Sequence, residues 1–165
     1  MKTKMLVMDV DGTLTDGKIY IGADGEVMKA FNVKDGYAIS HLKEDGIIPV
    51  IITGRESEIV KYRAKELGVT ELYQGVKDKL SVLKKVAEKY AISSEEIAYI
   101  GDDVNDLECM KYCGYSGCPQ DAILIIKQFV SYICNYNGGD GAVREFIEKL
   151  LFVEQTQGTY HDETH

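Results

Sequence analysis

Residues 4–17 read Lys-Met-Leu-Val-Met-Asp-Val-Asp-Gly-Thr-Leu-Thr-Asp-Gly, and the step from four apolar residues into Asp9, Asp11 and Gly12 leaves few architectures open. Residues 5–8 have the length and composition of a strand buried on both faces, as in a parallel sheet covered by helices on each side. Gly12 ends it. Side chains alternate along an extended chain, so Asp9 and Asp11 point the same way. In an open α/β sheet the carboxyl end of a central strand opens onto the ligand crevice, and both carboxylates are expected to stand there. Two like charges so close stay ionised together only with a cation between them. Oxygen ligands of this hardness suit Mg²⁺. By itself, Asp-x-Asp-Gly is also what an ordinary turn after a strand contains.

The longer string over residues 9–16, Asp-Val-Asp-Gly-Thr-Leu-Thr-Asp, is far more specific and resembles the haloacid dehalogenase superfamily. Members with this string are mostly Mg²⁺-dependent phosphatases. The resemblance implies Asp9 as nucleophile and Asp11 as acid/base. A second Asp at that position also separates phosphatases from the dehalogenases and ion-pumping ATPases of the superfamily, which carry another residue there.

Further along, residues 18–21 and 26–31 are two short strand-like runs around Gly22-Ala23-Asp24-Gly25, a hairpin signal. Ile19, Tyr20, Ile21, Val27, Met28 and Phe31 are too many apolar residues for a solvated flap, so another subunit is expected to cover it. A helix is expected from about Tyr37 to Glu44, stopped by Gly46. Residues 47–52 form a second buried strand that delivers Thr53-Gly54-Arg55, with Ser57 placed to cap a helix running to Leu67. A hydroxyl and free N–H groups at such a junction can cradle a phosphate, although an ordinary strand-to-helix turn looks the same.

Residues 71–73 form a short strand, and an amphipathic helix follows from Lys77-Asp78-Lys79 to about Tyr90. A lysine at a helix N-terminus is unfavourable without an anion beside it. Lys77 and Lys79 both qualify, and Lys79 matches the third motif of the superfamily. Residues 97–100 are a further buried strand ending in Gly101-Asp102-Asp103-Val104-Asn105-Asp106. These carboxylates repeat the logic of the first motif and are expected to complete one cation site. Beyond lie a short strand at residues 115–117, a helix over 121–128, a strand over 130–134, a glycine-rich turn, and a last helix from Ala142 to about Phe152.

A chain of 165 residues fits one domain and buries roughly two-thirds of its unfolded surface. The expected division is one domain over residues 1–154 and a polar, flexible tail over 155–165. A net charge of -8 argues against nucleic acid as a partner. The first apolar run is too short for a signal-peptide core, and no stretch approaches the ~20 apolar residues of a membrane span. A cytoplasmic protein with no membrane partner is expected. Cys109, Cys113, Cys118 and Cys134 lack paired zinc spacing and read as small buried thiols. His41, His161 and His165 receive no chemistry.

Alternating strands and helices at this spacing predict an α/β fold: a Rossmann-like, doubly wound parallel sheet with a projecting hairpin. The interval from Gly12 to Thr53 holds only the hairpin and one helix, and that from Thr53 to Asp102 holds core elements. No cap domain fits, which argues against a mutase or transferase that must exclude water. A silent binding relative would have lost Asp9, Asp11, Lys79 or Asp102, and none is lost.

The motifs at 11–17, 31–36 (Phe-Asn-Val-Lys-Asp-Gly), 53–57 (Thr-Gly-Arg-Glu-Ser), 75–80 (Gly-Val-Lys-Asp-Lys-Leu), 101–106 and 138–145 together resemble the capless family of 3-deoxy-D-manno-octulosonate 8-phosphate (KDO 8-phosphate) phosphatases. This resemblance implies hydrolysis of KDO 8-phosphate on the route to lipopolysaccharide by a homotetramer whose neighbouring subunits close the site, with the hairpin at its centre. It also implies that Asn32, Val33, Lys34, Asp35, Gly36, Arg55, Arg63 and Lys79, with Asp11, contact substrate. Thr53 and Lys79 are expected to hold the phosphoryl oxygens. Mg²⁺ is expected on Asp9, Asp102 and the backbone carbonyl of Asp11, with Asp103 and Asp106 in support. Arg63 also reads as an ordinary surface residue. Capless phosphatases for nine-carbon sugar acid 9-phosphates are the nearest competitors. They tend not to carry arginine at the Arg55 position, which tips the reading toward the eight-carbon acid.

Overall fold

The computed structural model describes residues 2–159. Its centre is β1 (Met5–Met8), fully buried as its composition requires. β1 pairs in parallel with β4 (Ile48–Ile52) on one edge and β6 (Ile97–Ile100) on the other. β5 (Glu71–Tyr73), β7 (Tyr115–Cys118) and β8 (Tyr132–Ile133) extend the sheet to six strands in the order β5-β4-β1-β6-β7-β8. The expected doubly wound sheet is present.

The alternation along β1 divides the core. Leu6 and Met8 face α1 (Val33–His41), α2 (Glu58–Glu66) and α6 (Ala142–Thr159) through Ile39, Val60, Phe146 and Ile147. Met5 and Val7 face α3 (Lys79–Lys89), α4 (Leu107–Tyr112) and α5 (Leu124–Lys127) through Leu83, Val86, Met110 and Ile126. Burying both faces of a strand in this way is what makes its sequence read as an unbroken apolar run.

β2 (Tyr20–Gly22) and β3 (Gly25–Met28) form the expected hairpin as a separate antiparallel ribbon. It projects Ile21 at 72% exposure and Val27 at 62%. Among the described residues no cap domain is inserted. All four cysteines are free thiols, with Cys109, Cys118 and Cys134 buried.

Several boundaries differ from expectation; β8, for one, covers only two of the five residues expected over 130–134. α1 begins at Val33, not Tyr37, because Asn32 Oδ1 accepts the Lys34 N–H at 2.8 Å and caps the helix. Gly36 lies inside that helix because a Cβ there would come within 3.2 Å of both Arg63 Cζ and Leu67 Cδ2. The helix expected over 121–128 shrinks to Leu124–Lys127: Asp121 accepts the Gly138 N–H, and the Ile123 N–H is drawn to the Asp102 carbonyl. At the other end, α6 runs on to Thr159, since Glu154, Gln155 and Gln157 are polar but good helix formers. The expected tail from residue 160 onward lies outside the described residues.

Candidate active site

The strand register brings the motifs to one end of the sheet. Met8 is level with Ile51 on β4 and Ile100 on β6, so Asp9, Thr53 and Asp102 all emerge just beyond the last paired rung. The Asp9 N–H still donates to the Ile100 carbonyl, at 3.1 Å. Past Asp9 the chain curls on itself: the Val10 carbonyl accepts the N–H groups of Thr13, Leu14 and Thr15, and Thr15 Oγ1 accepts those of Gly12 and Gly17. Thr13 is thereby aimed at Asp102, its hydroxyl donating to Oδ1 at 3.0 Å. Gly12 has φ +89°, and a Cβ there would sit 2.6 Å from Asp102 Cγ and 2.9 Å from Oδ1. The first motif and the Asp102 carboxylate touch through the space a side chain would fill.

Lys79 opens α3 behind the cap made by Asp78, whose Oδ1 accepts the Ser81 N–H. Its ammonium, buried at a helix N-terminus, finds the required anions: Asp9 Oδ1 at 2.9 Å and Asp106 Oδ1 at 2.8 Å. Asp106 is fully buried and saturated. Its Oδ1 also accepts from the Tyr99 hydroxyl at 2.6 Å, and its Oδ2 accepts the N–H groups of Asp102 and Asp103 at 3.0 and 3.3 Å. Asp106 therefore locks the 101–106 loop to Lys79. Asp103 caps the turn Val104–Asp106, its Oδ1 accepting the Val104 N–H at 2.6 Å.

Among the described residues, oxygens of Asp9, Asp102 and Asp106 lie within 4.8 Å of one another. Burial, then the charge of Asp106, pushes Asp9 up to about 6 even against Lys79. Asp102 is pushed up to about 8 by burial and by the charges of Asp9 and Asp106, with the Thr13 hydrogen bond acting the other way. One ammonium is insufficient to hold this cluster ionised near neutral pH, and a second cation relieves it. Asp106 has no acceptor position left over, so the free oxygens belong to Asp9 and Asp102. A hard, oxygen-preferring divalent ion such as Mg²⁺ fits this donor set.

Thr53 is buried and its backbone is fixed on both sides: its N–H donates to Tyr73 O, and its carbonyl accepts from the Val76 N–H. Arg55 is exposed beside it, near enough to Glu26 to help hold that carboxyl below its usual value. Burial acts against this shift, and hydrogen bonds from Ser57 and Lys29 outweigh it.

Asp11 stands across the mouth, and its Oδ1 accepts from Lys29 Nζ at 2.6 Å. Lys29, on the arm leaving β3, was not among the candidates. Its sequence signal is only a Glu26–Lys29 spacing of i,i+3 in an apolar arm. Thr13 and Gly138-Gly139 were missed as well. The Gly139 N–H donates to Thr13 O at 3.1 Å, and a Cβ on Gly138 would lie 2.7 Å from Gly12 C. This second glycine pair packs directly under the first motif.

Among the described residues, no hydrogen bond or ion pair joins residues 32–36 or Arg63 to Asp9, Asp11 or Asp102. Val33 and Lys34 point outward. Asp35 is buried and accepts the Arg144 N–H at 2.8 Å, capping the start of α6. Arg63 pairs with Glu66 at 2.8 Å and lies over the Phe31 ring, and both Arg63 Nε and Asp35 Oδ2 are buried without a partner. Asn32, Asp35, Gly36 and Arg63 line a separate crevice between α1 and α2, shared with Val10 and Leu14.

Residues 69–147 match the model of the haloacid dehalogenase-like hydrolases. Over 151 residues the chain is 43% identical to the 3-deoxy-D-manno-octulosonate 8-phosphate phosphatase KdsC of Escherichia coli (strain K12), covering 92% of this chain and 80% of that one. It is similar in structure to the corresponding phosphatase of Moraxella catarrhalis in complex with a magnesium ion, a phosphate ion and a KDO molecule. That likeness has a TM-score of 0.88 at 40% identity, over 96% of this chain and 93% of the other. The cobalt-bound Haemophilus influenzae phosphatase is similar at a TM-score of 0.90 and 34% identity, over 93% and 90% of the two chains. No helix among the described residues is long and apolar enough to cross a membrane.

Proposed function

Because this chain belongs to the family of 3-deoxy-D-manno-octulosonate 8-phosphate phosphatases, within the haloacid dehalogenase-like hydrolases, we propose that it hydrolyses KDO 8-phosphate to KDO and phosphate through an aspartyl-phosphate intermediate. The reaction serves lipopolysaccharide synthesis in the cytoplasm. The observation that carries the reading is the pair of strand ends that set Asp9, held by Lys79, against Asp102, held by Thr13.

Asp9 attacks phosphorus as the ester P–O bond breaks, and Asp11 gives its proton to the departing alkoxide. In the second half Asp11 takes a proton from water, whose oxygen attacks the phosphoryl group and releases Asp9. Lys79 neutralises phosphoryl oxygens while remaining tied to Asp106, and Thr53 presents a donor from the neighbouring strand. Asp9, Asp102 and the Asp11 carbonyl would hold Mg²⁺, which when bound would supply the charge neutralisation that a phosphate dianion needs beside a carboxylate nucleophile.

Arg55 recognises the sugar-acid carboxylate. Asn32 to Gly36 and Arg63, which no hydrogen bond or ion pair joins to Asp9, Asp11 or Asp102 of their own chain, serve a neighbouring copy in a homotetramer. The apolar hairpin, exposed in the single chain, supports such an assembly.

The test compares kcat/KM for KDO 8-phosphate, the 9-phosphate of a nine-carbon sugar acid and a simple sugar phosphate, in the native protein and in Arg55→Ala, with Asp9→Asn as the inactive control. KDO 8-phosphate should be preferred, and Arg55→Ala should lower that preference about tenfold or more, the worth of one charge-assisted hydrogen bond. A preference for the nine-carbon substrate, or no loss in Arg55→Ala, overturns the substrate assignment. Turnover by Asp9→Asn overturns the mechanism. Light scattering that finds an active monomer overturns the tetramer.

A further inference from the structure

We infer that Lys29 is a positioning residue for Asp11, fixing both where the acid/base carboxyl stands and which of its oxygens faces the ester. The inference rests on the phosphatase reading above, in which Asp11 protonates the leaving group.

Asp11 follows β1 in a loop, with its side chain 19% exposed. A carboxyl so placed turns about two side-chain torsions, and a hydrogen bond fixes them. Lys29 supplies the hold, with its ammonium 2.6 Å from Asp11 Oδ1 and its side chain only 1% exposed. The lysine is itself anchored. Its Nζ lies 3.0 Å from Glu26 Oε2, and Glu26 Oε1 accepts the Ser57 hydroxyl at 2.5 Å. Ser57 caps α2, and its N–H donates to Gln74 Oε1 at 3.0 Å. A continuous line of contacts thus runs from the acid/base carboxyl, across the foot of the hairpin, to the start of α2 just beyond Thr53.

The chemistry of the contact decides the second half of the inference. An ammonium donates hydrogen bonds and accepts none. With Oδ1 turned to Lys29, Oδ2 is the oxygen left to be offered to the ester. A bond that merely staples the hairpin makes a different prediction: its loss would alter stability or assembly but would not distinguish between leaving groups.

Lys29→Met in the full-length, Mg²⁺-loaded protein separates the two. The ratio kcat/KM reports events up to loss of the leaving group, so the later hydrolysis of the intermediate does not enter it. For KDO 8-phosphate, whose alkoxide needs a proton to depart, kcat/KM should fall about 100-fold. For p-nitrophenyl phosphate, whose phenolate departs unaided, it should fall no more than about threefold. Lys29→Arg should recover much of the loss. Glu26→Gln, which keeps the ammonium but weakens its anchor, should fall between.

An equal loss on both substrates in a folded variant of native assembly state, or no loss on either, overturns the inference. If Lys29→Met does not fold, Glu26→Gln and Lys29→Arg carry the same two-substrate comparison, and identical ratios in all three proteins overturn it. A native protein inactive on both esters would overturn the phosphatase reading itself, a result distinct from any of these.

Discussion

Substituting Gly12 by alanine tests the proposed centre at its tightest point. The new Cβ would fall 2.6 Å from Asp102 Cγ and 2.9 Å from its Oδ1, closer still to Oδ2, at a residue with φ +89°. Ordinary contact needs the Asp102 carboxylate to withdraw by about 1 Å, a displacement that can cost about 100-fold in rate. Rotation alone is opposed, because Oδ1 is held by the Thr13 hydroxyl and the Asp102 N–H by Asp106 Oδ2. A non-glycine residue in left-handed backbone adds about 1–2 kcal/mol of strain. Overpacking adds about 1–3 kcal/mol more. The loss should lower Tm by roughly 5–20 °C for a chain of this size yet leave it folded. The decisive assay is Tm with and without Mg²⁺, followed by phosphate release. Native protein should gain Tm with Mg²⁺, and Gly12→Ala should lose that gain together with about 100-fold in kcat. A variant that keeps both the native Mg²⁺ response and native kcat would show that Asp102 is not held against the first motif as described.

Asp9 and Asp102 are raised on folding from 3.8 to about 6 and about 8, so the metal-free fold is favoured most where both are protonated and loses that contribution as pH climbs through those values. The Tm increment from Mg²⁺ should therefore grow from about pH 5 to about pH 9, and an increment flat across this range refutes the reading. Asp106→Ala leaves Lys79, the Tyr99 hydroxyl and two N–H groups without their shared acceptor. Urea unfolding should show a loss of about 3–5 kcal/mol, as for other broken buried pairs. A loss under about 1 kcal/mol would mean that Asp106 is not the anchor of the loop.

The parts of the site legible in sequence are those that sit at strand ends. Asp9 and Asp102 could be placed because a short apolar run fixes a buried strand, and its final residue fixes where the next side chain emerges. A different rule, that a cation at a helix N-terminus needs an anion, left Lys77 and Lys79 both open; the resemblance to the superfamily's third motif chose Lys79, and the structure supplies it with two anions. Lys29 obeys no such rule. Its partner lies eighteen positions away across a hairpin whose fold-back on the core no local pattern encodes. The start of α1 was misplaced for a related reason. Gly36 reads as a breaker, yet its missing side chain is the space taken by Arg63 from another helix. Gly138 and Gly139 read as an ordinary turn, while their role is to let a late loop approach Gly12 and Thr15 closely. Tertiary close approach leaves its mark as a small residue without saying what approaches.

The place of β1 in the middle of the sheet bears on how the protein is made. Met5 pairs with Ile48 on one edge and with Ile97 on the other. During synthesis this strand therefore leaves the ribosome well before either neighbour exists. It is apolar on both faces and open on both edges, which is the form of strand most prone to pair with the wrong chain. Parallel pairing over such separations is slow to close, and the nascent chain must keep Met5–Met8 shielded until β6 has been made. Asp9 meets Asp102 and Asp106 only when β6 docks beside β1. Catalytic competence thus arrives no earlier than that docking, and a chain stopped before residue 97 would be inactive and adhesive together.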